Sequence, residues 1–181
     1  MKNQLAFLFF IAILLTTKYM QSQTKETGPI IMNYGAVYKV ENTDYKINTN
    51  KDLKAVFDIM NSPEDNEKRN ASIETAARFL NMHAQEHIPA NKLHAILVVH
   101  SKASKDIITN KAYKKRYGKD NPNEDMIKTL LKAGVQVILC GQSAGSRNIA
   151  KEDLIPGVQL SLSAMTALIQ LQNEGYSLIK F

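Results

Sequence analysis

Short apolar runs in the second half of the chain have the pattern of buried strands. "LHAILVVH", residues 93–100, and "VQVILC", residues 135–140, are rich in β-branched residues and show no polar alternation, which is typical of strands covered on both faces. "DLKAVFDIM", residues 52–60, is apolar enough for another strand, although its periodicity alone does not distinguish it from a helix. Shorter strands are predicted over residues 158–162 and in the closing "YSLIKF".

Between these runs the apolar spacing becomes helical. Residues 71–87 repeat apolar positions at Ile73, Ala76, Ala77 and Leu80, the spacing of one helix face, and Pro89 predicts the end of that helix. Residues 103–117 form a basic segment that is predicted to be a second helix, and residues 163–173 a further one.

The turn "GKDNPNED" predicts where another helix begins. Asn121 is the expected N-cap, Pro122 the first helical position, and Gly134 the residue that closes the helix. Strands therefore alternate with helices through this half, a pattern that predicts βαβ units and a mainly parallel sheet with helices on both faces. We expect one α/β domain over residues 51–181, preceded by an extended, polar N-terminal arm over residues 23–50 with at most short strands.

The first 22 residues have the features of a secretory signal peptide. Lys2 precedes an apolar run over residues 5–15, and a polar stretch follows up to Ser22. This run is shorter than the ~20 apolar residues that a spanning helix needs. The sequence therefore predicts an exported protein, periplasmic or secreted, whose mature form has no membrane segment.

The positive charge of the chain is modest but concentrated. Removal of residues 1–22 takes away Lys2 and Lys18 and no acidic residue, so the net charge falls from +6 to +4. Such an excess does not require a nucleic-acid partner, and none is expected. Two interpretations remain for the basic segment, a solvated helix face or a shallow surface that attracts anions. Its cations are Lys102, Lys105, Lys111, Lys114, Lys115, Arg116 and Lys119.

The most informative residue is Cys140, the only cysteine in the chain. It ends one predicted strand as His100 ends another, and the carboxyl ends of parallel strands form the edge where ligands bind in open α/β sheets. A thiolate there would be stabilised by the start of the next helix, and Arg147 or a protonated His100 would add to this. The alternative is that Cys140 is a small buried apolar residue.

Two further patterns point to other chemistry. "GQSAG", residues 141–145, matches the G-x-S-x-G nucleophile elbow of α/β-hydrolases, but the chain has no histidine after His100 to complete that relay. His83 and His87 have the i, i+4 spacing of metal ligands, yet "HAQEH" lacks the glutamate of H-E-x-x-H and no third ligand is evident. Neither a metal nor a cofactor is expected.

The order of several short motifs resembles a known family. "AARFLNMHAQEHIPANKLHAILVVHSKA", "YKKRYGKDNPNEDMIKTLLKAGVQVILCGQ" and "DLIPGVQLSLSAMTALIQLQNEGYSLI" are together similar to the exported, single-domain branch of the DsrE/DsrF-like family, which is related to the YchN and TusD sulfur proteins. The resemblance covers most of residues 52–181. It implies a three-layer α/β/α, flavodoxin-like fold with a mainly parallel sheet of about five strands, assembled as a trimer or hexamer.

The resemblance also implies a role for the thiol. Cys140 matches the strand-end cysteine that carries a persulfide in the sulfur-relay members, so this chain would bind or transfer sulfane sulfur, with a small sulfur-containing anion or an acceptor thiol as its partner. Other members carry a second cysteine where this chain has Ser143, so a resolving thiol is missing.

The candidate site follows from these observations. Cys140 and His100 are the candidate catalytic residues, and the candidate substrate-binding residues are Arg147, Gly141, Gln142, Ser143 and Asn121. The alternative function is a non-catalytic oligomeric module that binds a small ligand or partner, with Cys140 serving only in packing.

Overall fold

The computed structural model describes residues 24–180. The predicted signal peptide, residues 1–22, and the last residue of the chain lie outside this range. The strands are β1 (Lys25–Glu26), β2 (Val37–Tyr38), β3 (Leu53–Ile59), β4 (Leu93–Val99), β5 (Gln136–Cys140), β6 (Gln159–Ser161) and β7 (Ser177–Ile179). The α-helices are α1 (Ala71–Gln85), α2 (Asn110–Tyr117), α3 (Glu124–Lys132), α4 (Gly141–Ser146) and α5 (Ala164–Asn173). Short 3₁₀ helices cover Ala90–Lys92, Ser101–Ile107 and Lys151–Asp153.

Five of the strands form one parallel sheet in the order β6-β5-β4-β3-β7. β3 and β4, whose neighbours cover them on both edges, have nearly continuous apolar sequences, as expected for central strands of a parallel sheet. The predicted α/β class with a parallel sheet of about five strands is therefore confirmed. "DLKAVFDIM" is a strand and not a helix.

Two apolar clusters cover the two faces of this sheet. On one face α1, α2 and α3 bury residues such as Ile73, Tyr113 and Ile127 against the sheet. On the other face α5 packs alone, through Ala164, Ala167 and Leu171, against residues of β3, β4 and β5. The molecule thus has three layers, and the layer formed by α5 is thinner than the layer formed by α1, α2 and α3.

The N-terminal segment packs on the sheet domain, and the buried side chain of Asn81 makes several of the hydrogen bonds that hold it there. β1 and β2 pair as a small antiparallel ribbon, while Ile31 and Tyr34 between them are buried. Asn81 of α1, which is fully buried, accepts a hydrogen bond from the amide of Ile31 (2.8 Å) and donates to the carbonyls of Ile31 (2.9 Å), Tyr34 (3.0 Å) and Gly35 (3.2 Å). The segment predicted as an arm therefore lies against α1.

The helix predicted over residues 103–117 is in fact two elements. A 3₁₀ helix ends at Ile107, Ile108 forms an isolated bridge with Leu154, and α2 begins at Asn110 with Thr109 as its N-cap. The amide of Thr109 donates to the carbonyl of Asp153 (2.8 Å). A distant segment thus satisfies the backbone at the break, which the local sequence does not reveal.

Asn121 is not the N-cap of the following helix. α3 begins at Glu124 after Asn123, two residues later than predicted. The Asn121 amide instead donates to the carbonyls of Asp106 (2.9 Å) and Ile108 (2.7 Å), and its oxygen accepts from the amide of Asn123 (2.9 Å). The asparagines of the "DNPN" turn therefore hold the broken helix in place.

A buried carboxyl group lies at the centre of this loop network. Asp106 accepts hydrogen bonds from the side chains of Asn70 (2.7 Å), Ser62 (3.0 Å) and Asn123 (3.3 Å). Burial raises the pKa of Asp106 to about 6, although the bonds from Asn70 and Ser62 and the charge of Lys105 partly oppose this shift.

None of the helices between residues 24 and 180 is long and apolar enough to cross a membrane.

Replacement of Asn81 by alanine should destabilise the protein. It would leave one amide and three carbonyls of the N-terminal segment without their partner, and a buried polar group without a partner costs about 1–3 kcal/mol. We expect the free energy of unfolding in urea to fall by about 2–4 kcal/mol. Asn173→Ala, an exposed amide on α5, is the matched control and should change it by less than about 0.5 kcal/mol. Equal effects of the two substitutions would contradict the role of Asn81.

Candidate functional site

The carboxyl ends of adjacent strands bring three polar side chains to one face of the sheet. Val56, Val98 and Cys140 belong to the cluster under α5. Since side chains alternate along a strand, Asp58 and His100, two residues beyond Val56 and Val98, lie on that same face. Val99, the last residue of β4, pairs with Leu139, so His100, which directly follows β4, lies level with Cys140 at the end of β5. The predicted proximity of these two strand ends agrees with this register.

Cys140 lies where two helices begin. It is the last residue of β5 and the N-cap of α4, and the first amide of α5, that of Ala164, also interacts with its sulfur. Backbone amides of Gln142 and Ser143 and the Ser143 hydroxyl complete the set of donors. The residue is 5% exposed and packs in the apolar cluster under α5.

These donors control the acidity of the thiol. Burial by itself raises the pKa of Cys140, but the hydrogen bonds from Ser143, Ala164 and Gln142 outweigh it and hold the pKa of the thiol below its usual value. The physical cause is that amide N–H groups at helix starts lack partners within the helix and stabilise a negative charge. A low pKa increases the fraction of nucleophilic thiolate at neutral pH.

Gly141 allows the two helix starts to approach the sulfur together. A Cβ atom at this position would lie 2.5 Å from the carbonyl oxygen of Ser161 and 3.0 Å from that of Leu162. Both oxygens belong to backbone that has little freedom to move, so any side chain would separate α4 from the connection between β6 and α5. Gly141 therefore acts on the site through close backbone approach, while Gln142 donates to the Leu162 carbonyl (3.2 Å) from an exposed position.

Ser143 connects the thiol to the neighbouring strand. Its hydroxyl oxygen accepts a hydrogen bond from the amide of Ser101 (2.9 Å), and the same hydroxyl is among the groups that lower the pKa of Cys140. Ser101 has φ +52°, a left-handed conformation that is uncommon outside glycine. No histidine bonds to Ser143 among the described residues, and Cys140 occupies the turn between strand and helix where a hydrolase would place its serine.

His100 is held by a carboxylate that sequence reasoning missed. Its Nε2 lies 2.7 Å from Oδ1 of Asp58, and the ammonium of Lys180 lies 2.8 Å from Oδ2 of the same group. Burial raises the pKa of Asp58, but hydrogen bonds from Lys180 and His100 and their charges outweigh it, so the pKa stays below its usual value. Asp58 thus fixes the orientation of the imidazole.

Two of the predicted site residues lie away from the thiol. The backbone of Arg147, which follows the last residue of α4, lies roughly 10 Å along that helix from Cys140 by the rise per residue, and its side chain lines a separate cleft. Asn121 is 5% exposed and its hydrogen bonds are those of the loop network. The structure therefore brings together Cys140, Gly141, Gln142 and Ser143, and places His100 on the adjoining strand.

The two histidines of the "HAQEH" segment do not share one helix face. His83 lies over the ring of Phe79 and bonds to that residue's carbonyl (2.7 Å), while His87 lies beyond the helix end with φ +64°. Within residues 24–180, no three metal-ligating side chains of the histidine, cysteine, aspartate and glutamate types come together.

Sequence reasoning missed Asp58, Ser101, Ala164 and Lys180. Asp58 left a usable signal, because it is a lone carboxylate one residue before the end of a buried strand, where an uncompensated charge is costly. Ser101 and Ala164 act through backbone amides, and Lys180 follows the last strand, so their side-chain types carry no comparable signal.

Ser143→Ala should raise the pKa of the Cys140 thiol, because it removes the hydroxyl donor and keeps the backbone amides. The rate of alkylation by iodoacetamide as a function of pH measures this pKa, and the wild-type curve should rise at lower pH than that of a model thiol. Ser146→Ala, an exposed serine of the same helix, is the control and should leave the curve unchanged. A wild-type curve that coincides with the model thiol would contradict the stabilisation of the thiolate.

Comparison with known proteins agrees with this architecture. The chain is similar in structure to the YchN protein of E. coli, with 22% identity and a TM-score of 0.53, over 71% of this chain and 99% of that one. It is similar also to MTH1491 of Methanobacterium thermoautotrophicum, a protein of unknown function, with 17% identity and a TM-score of 0.52, over 72% and 100% of the two chains. These likenesses show the shared flavodoxin-like fold.

The family assignment rests on the sequence itself. No curated protein matches the chain. The model of the DsrE/DsrF-like family, however, matches residues 54–181, which include every strand of the parallel sheet from β4 onward, nearly all of β3, and the whole thiol site. The chain belongs to the DsrE/DsrF-like family.

Proposed function

We propose that this protein is an exported sulfur carrier that binds or transfers sulfane sulfur as a persulfide on Cys140. The observation that carries the proposal is the convergence of two helix starts on the only thiol of the chain, which lowers its pKa. The family membership of residues 54–181 supports it, and the signal-peptide pattern of residues 1–22 supports export to the periplasm or the medium.

The proposed chemistry is a sulfur transfer to the thiolate. With thiosulfate as donor, the Cys140 thiolate attacks the outer sulfur, a new S–S bond forms, and the S–S bond of thiosulfate breaks with its electron pair leaving on sulfite. Atoms and charge balance without an added oxidant or reductant. Persulfide formation follows the rules of thiol–disulfide exchange, in which the thiolate attacks. The amides that stabilise the thiolate would also stabilise the terminal sulfur anion of the product.

His100 is the proposed proton partner. The Asp58 carboxylate fixes its ring through Nε2, and the register places it at the end of the strand next to Cys140. An imidazole oriented in this way can take the proton of a thiol acceptor as that acceptor approaches. Its role is to assist release of the sulfur, whereas the helix amides activate the nucleophile.

Sulfur must leave this chain for an external acceptor. Cys140 is the only cysteine, and Ser143 occupies the place three residues later where a resolving thiol would stand. Ser143 is committed to the Ser101 amide and the Cys140 sulfur. A bound persulfide therefore has no partner within the chain and would persist until a small or protein thiol removes it.

A second candidate function is a non-catalytic module that binds a small ligand or partner. The low exposure of Cys140 and its packing with Val56, Ile96 and Leu171 favour this alternative, because a thiol sealed by apolar side chains reacts slowly. The two candidates differ in one property, which is whether a small sulfur donor reaches the sulfur in the folded protein.

We propose in addition that the protein forms a homo-oligomer through the β6–α5 side. An exposed apolar patch there consists of Leu160, Leu162, Met165 and Ile169, with 45–73% of each residue exposed. β6 is an edge strand of three residues whose outer side is unpaired within the described chain, and such edges are commonly covered. A second copy of the chain is the proposed occupant, as the family resemblance implies, and it would cover the side of the thiol site formed by Gln142 and Leu162.

Incubation of the purified mature protein with thiosulfate should add the mass of one sulfur atom, measured by intact mass spectrometry. The adduct should disappear with dithiothreitol and should be absent from Cys140→Ser. Gly141→Ala should lose most of the adduct, because its Cβ would separate the helix starts. Failure of the folded wild-type protein to form the adduct, together with iodoacetamide labelling no faster than that of a buried thiol, would reject the sulfur carrier in favour of the binding module.

The double substitution Leu162→Asp, Met165→Asp should convert the proposed trimer or hexamer into a monomer, because charges in an apolar contact are strongly unfavourable. Size-exclusion chromatography with light scattering measures the mass. Tyr45→Asp, at an exposed aromatic residue outside the patch, should leave the oligomer intact. A wild-type protein that is monomeric at micromolar concentration would contradict the proposal.

A further inference from the structure

A cationic cleft lies beside the thiol site and is separate from it. It has a volume of about 530 Å³ and lies beyond the carboxyl ends of β3, β4 and β5. Lys102, Lys105, Arg116 and Arg147 contribute four cations to its lining, and Glu64 the one carboxylate. The lining also includes the apolar side chains of Ile108 and Ile149 and the ring of Tyr117. This combination of concavity, charge and apolar surface is that of a small-molecule site.

Two of the cations are fixed by the protein. Arg116 donates to the carbonyls of Arg147 (3.0 Å) and Asn148, and lies 3.4 Å from the carboxylate of Asp153. By bonding to these carbonyls it removes acceptors that would otherwise repel an anion in the cleft. The ammonium of Lys105 bonds to the carbonyl of Pro63 (3.0 Å) and lies 5.5 Å from the centre of the Tyr117 ring. The positive charges of Arg116 and Lys105 are therefore held in position even when no ligand is bound.

The other two cations are available to a ligand. Within the described residues, the Arg147 side chain has neither a hydrogen bond nor an ion pair, and the Lys102 ammonium lies 3.7 Å from Glu64 with both side chains largely exposed. Lys114 and Lys119, which lie outside the cleft, are paired with Asp120 and Glu67. The cleft thus contains one guanidinium, that of Arg147, without a partner among the described residues.

We propose that this cleft binds a small organic anion that carries a phosphate- or sulfate-like group. The guanidinium of Arg147 would hold two oxygens of that group in the fork geometry that arginine prefers, and Lys102 would contribute a second charge. The planar or apolar body of the ligand would lie on Ile108, Ile149 and the Tyr117 ring. The position beyond the carboxyl ends of three parallel strands is the general ligand site of open α/β sheets.

The proposal does not depend on the sulfur chemistry of Cys140. The hydrogen bond from the Ser101 amide to the Ser143 hydroxyl lies between the two sites. The residues that line the cleft include neither Cys140 nor His100. The proposal corresponds to the interpretation of the basic segment as a surface that attracts anions, with Lys102, Lys105 and Arg116 as the residues of that segment that line the cleft.

Isothermal titration calorimetry at low ionic strength tests the proposal with adenosine 5′-diphosphate as the probe. We expect saturable binding of this probe, no binding of uncharged adenosine, and weaker binding of pyrophosphate, which lacks an organic body. Arg147→Ala should weaken binding about tenfold, the expected effect of losing a charge-assisted bidentate contact. Cys140→Ser should leave the affinity unchanged.

The control separates a site from general charge attraction. Lys115→Ala removes the same charge from an exposed position on α2 outside the cleft and should change the affinity less than twofold. Absence of saturable binding to the wild-type protein would overturn the proposal. So would an equal loss of affinity in Arg147→Ala and Lys115→Ala, since it would show attraction by net charge alone.

Discussion

The thiol site depends on the close approach of two backbone segments at Gly141. The absence of a Cβ there allows α4 to begin against the carbonyls of Ser161 and Leu162, and this contact brings the first amide of α5 to the same sulfur as the first amides of α4. Either helix start alone would offer fewer donors to a thiol that burial makes less acidic. The lowered pKa of Cys140 therefore depends on the packing of the segments that follow β5 and β6.

The sequence was sufficient for the parts of the fold that local patterns control. The apolar runs of β4 and β5 and the helical spacing around Ile73 predicted their elements closely, because burial on both faces or on one face leaves a direct record in the residue types. The helix predicted over residues 103–117 failed for the opposite reason. Its break at Ile108 is satisfied by Leu154 and Asn121, and partners so distant in sequence leave no local signal.

For the candidate site too, the sequence predicted the positions that local patterns mark and missed those that distant segments determine. Cys140 and His100 were predictable because the carboxyl end of a parallel strand is a position that the sequence marks. Arg147 was assigned to the thiol from its predicted place at the sheet edge, yet its backbone lies roughly 10 Å from Cys140 along α4 and its side chain lines another cleft. Asp58 could have been found from its buried carboxylate, whereas the Ala164 amide belongs to a connection that only the folded chain brings near.

The source of thiolate stabilisation determines how the two sites relate to each other. The main causes of the shifted pKa of Cys140 are burial, which raises it, and the hydrogen bonds of amide and hydroxyl groups, which lower it. Neutral dipoles thus set the acidity of the thiol, while the cleft provides the positive field at this edge of the sheet. We therefore expect the sulfur to keep its low pKa when an anion occupies the proposed cleft site, because the groups that lower this pKa do not belong to the cleft lining.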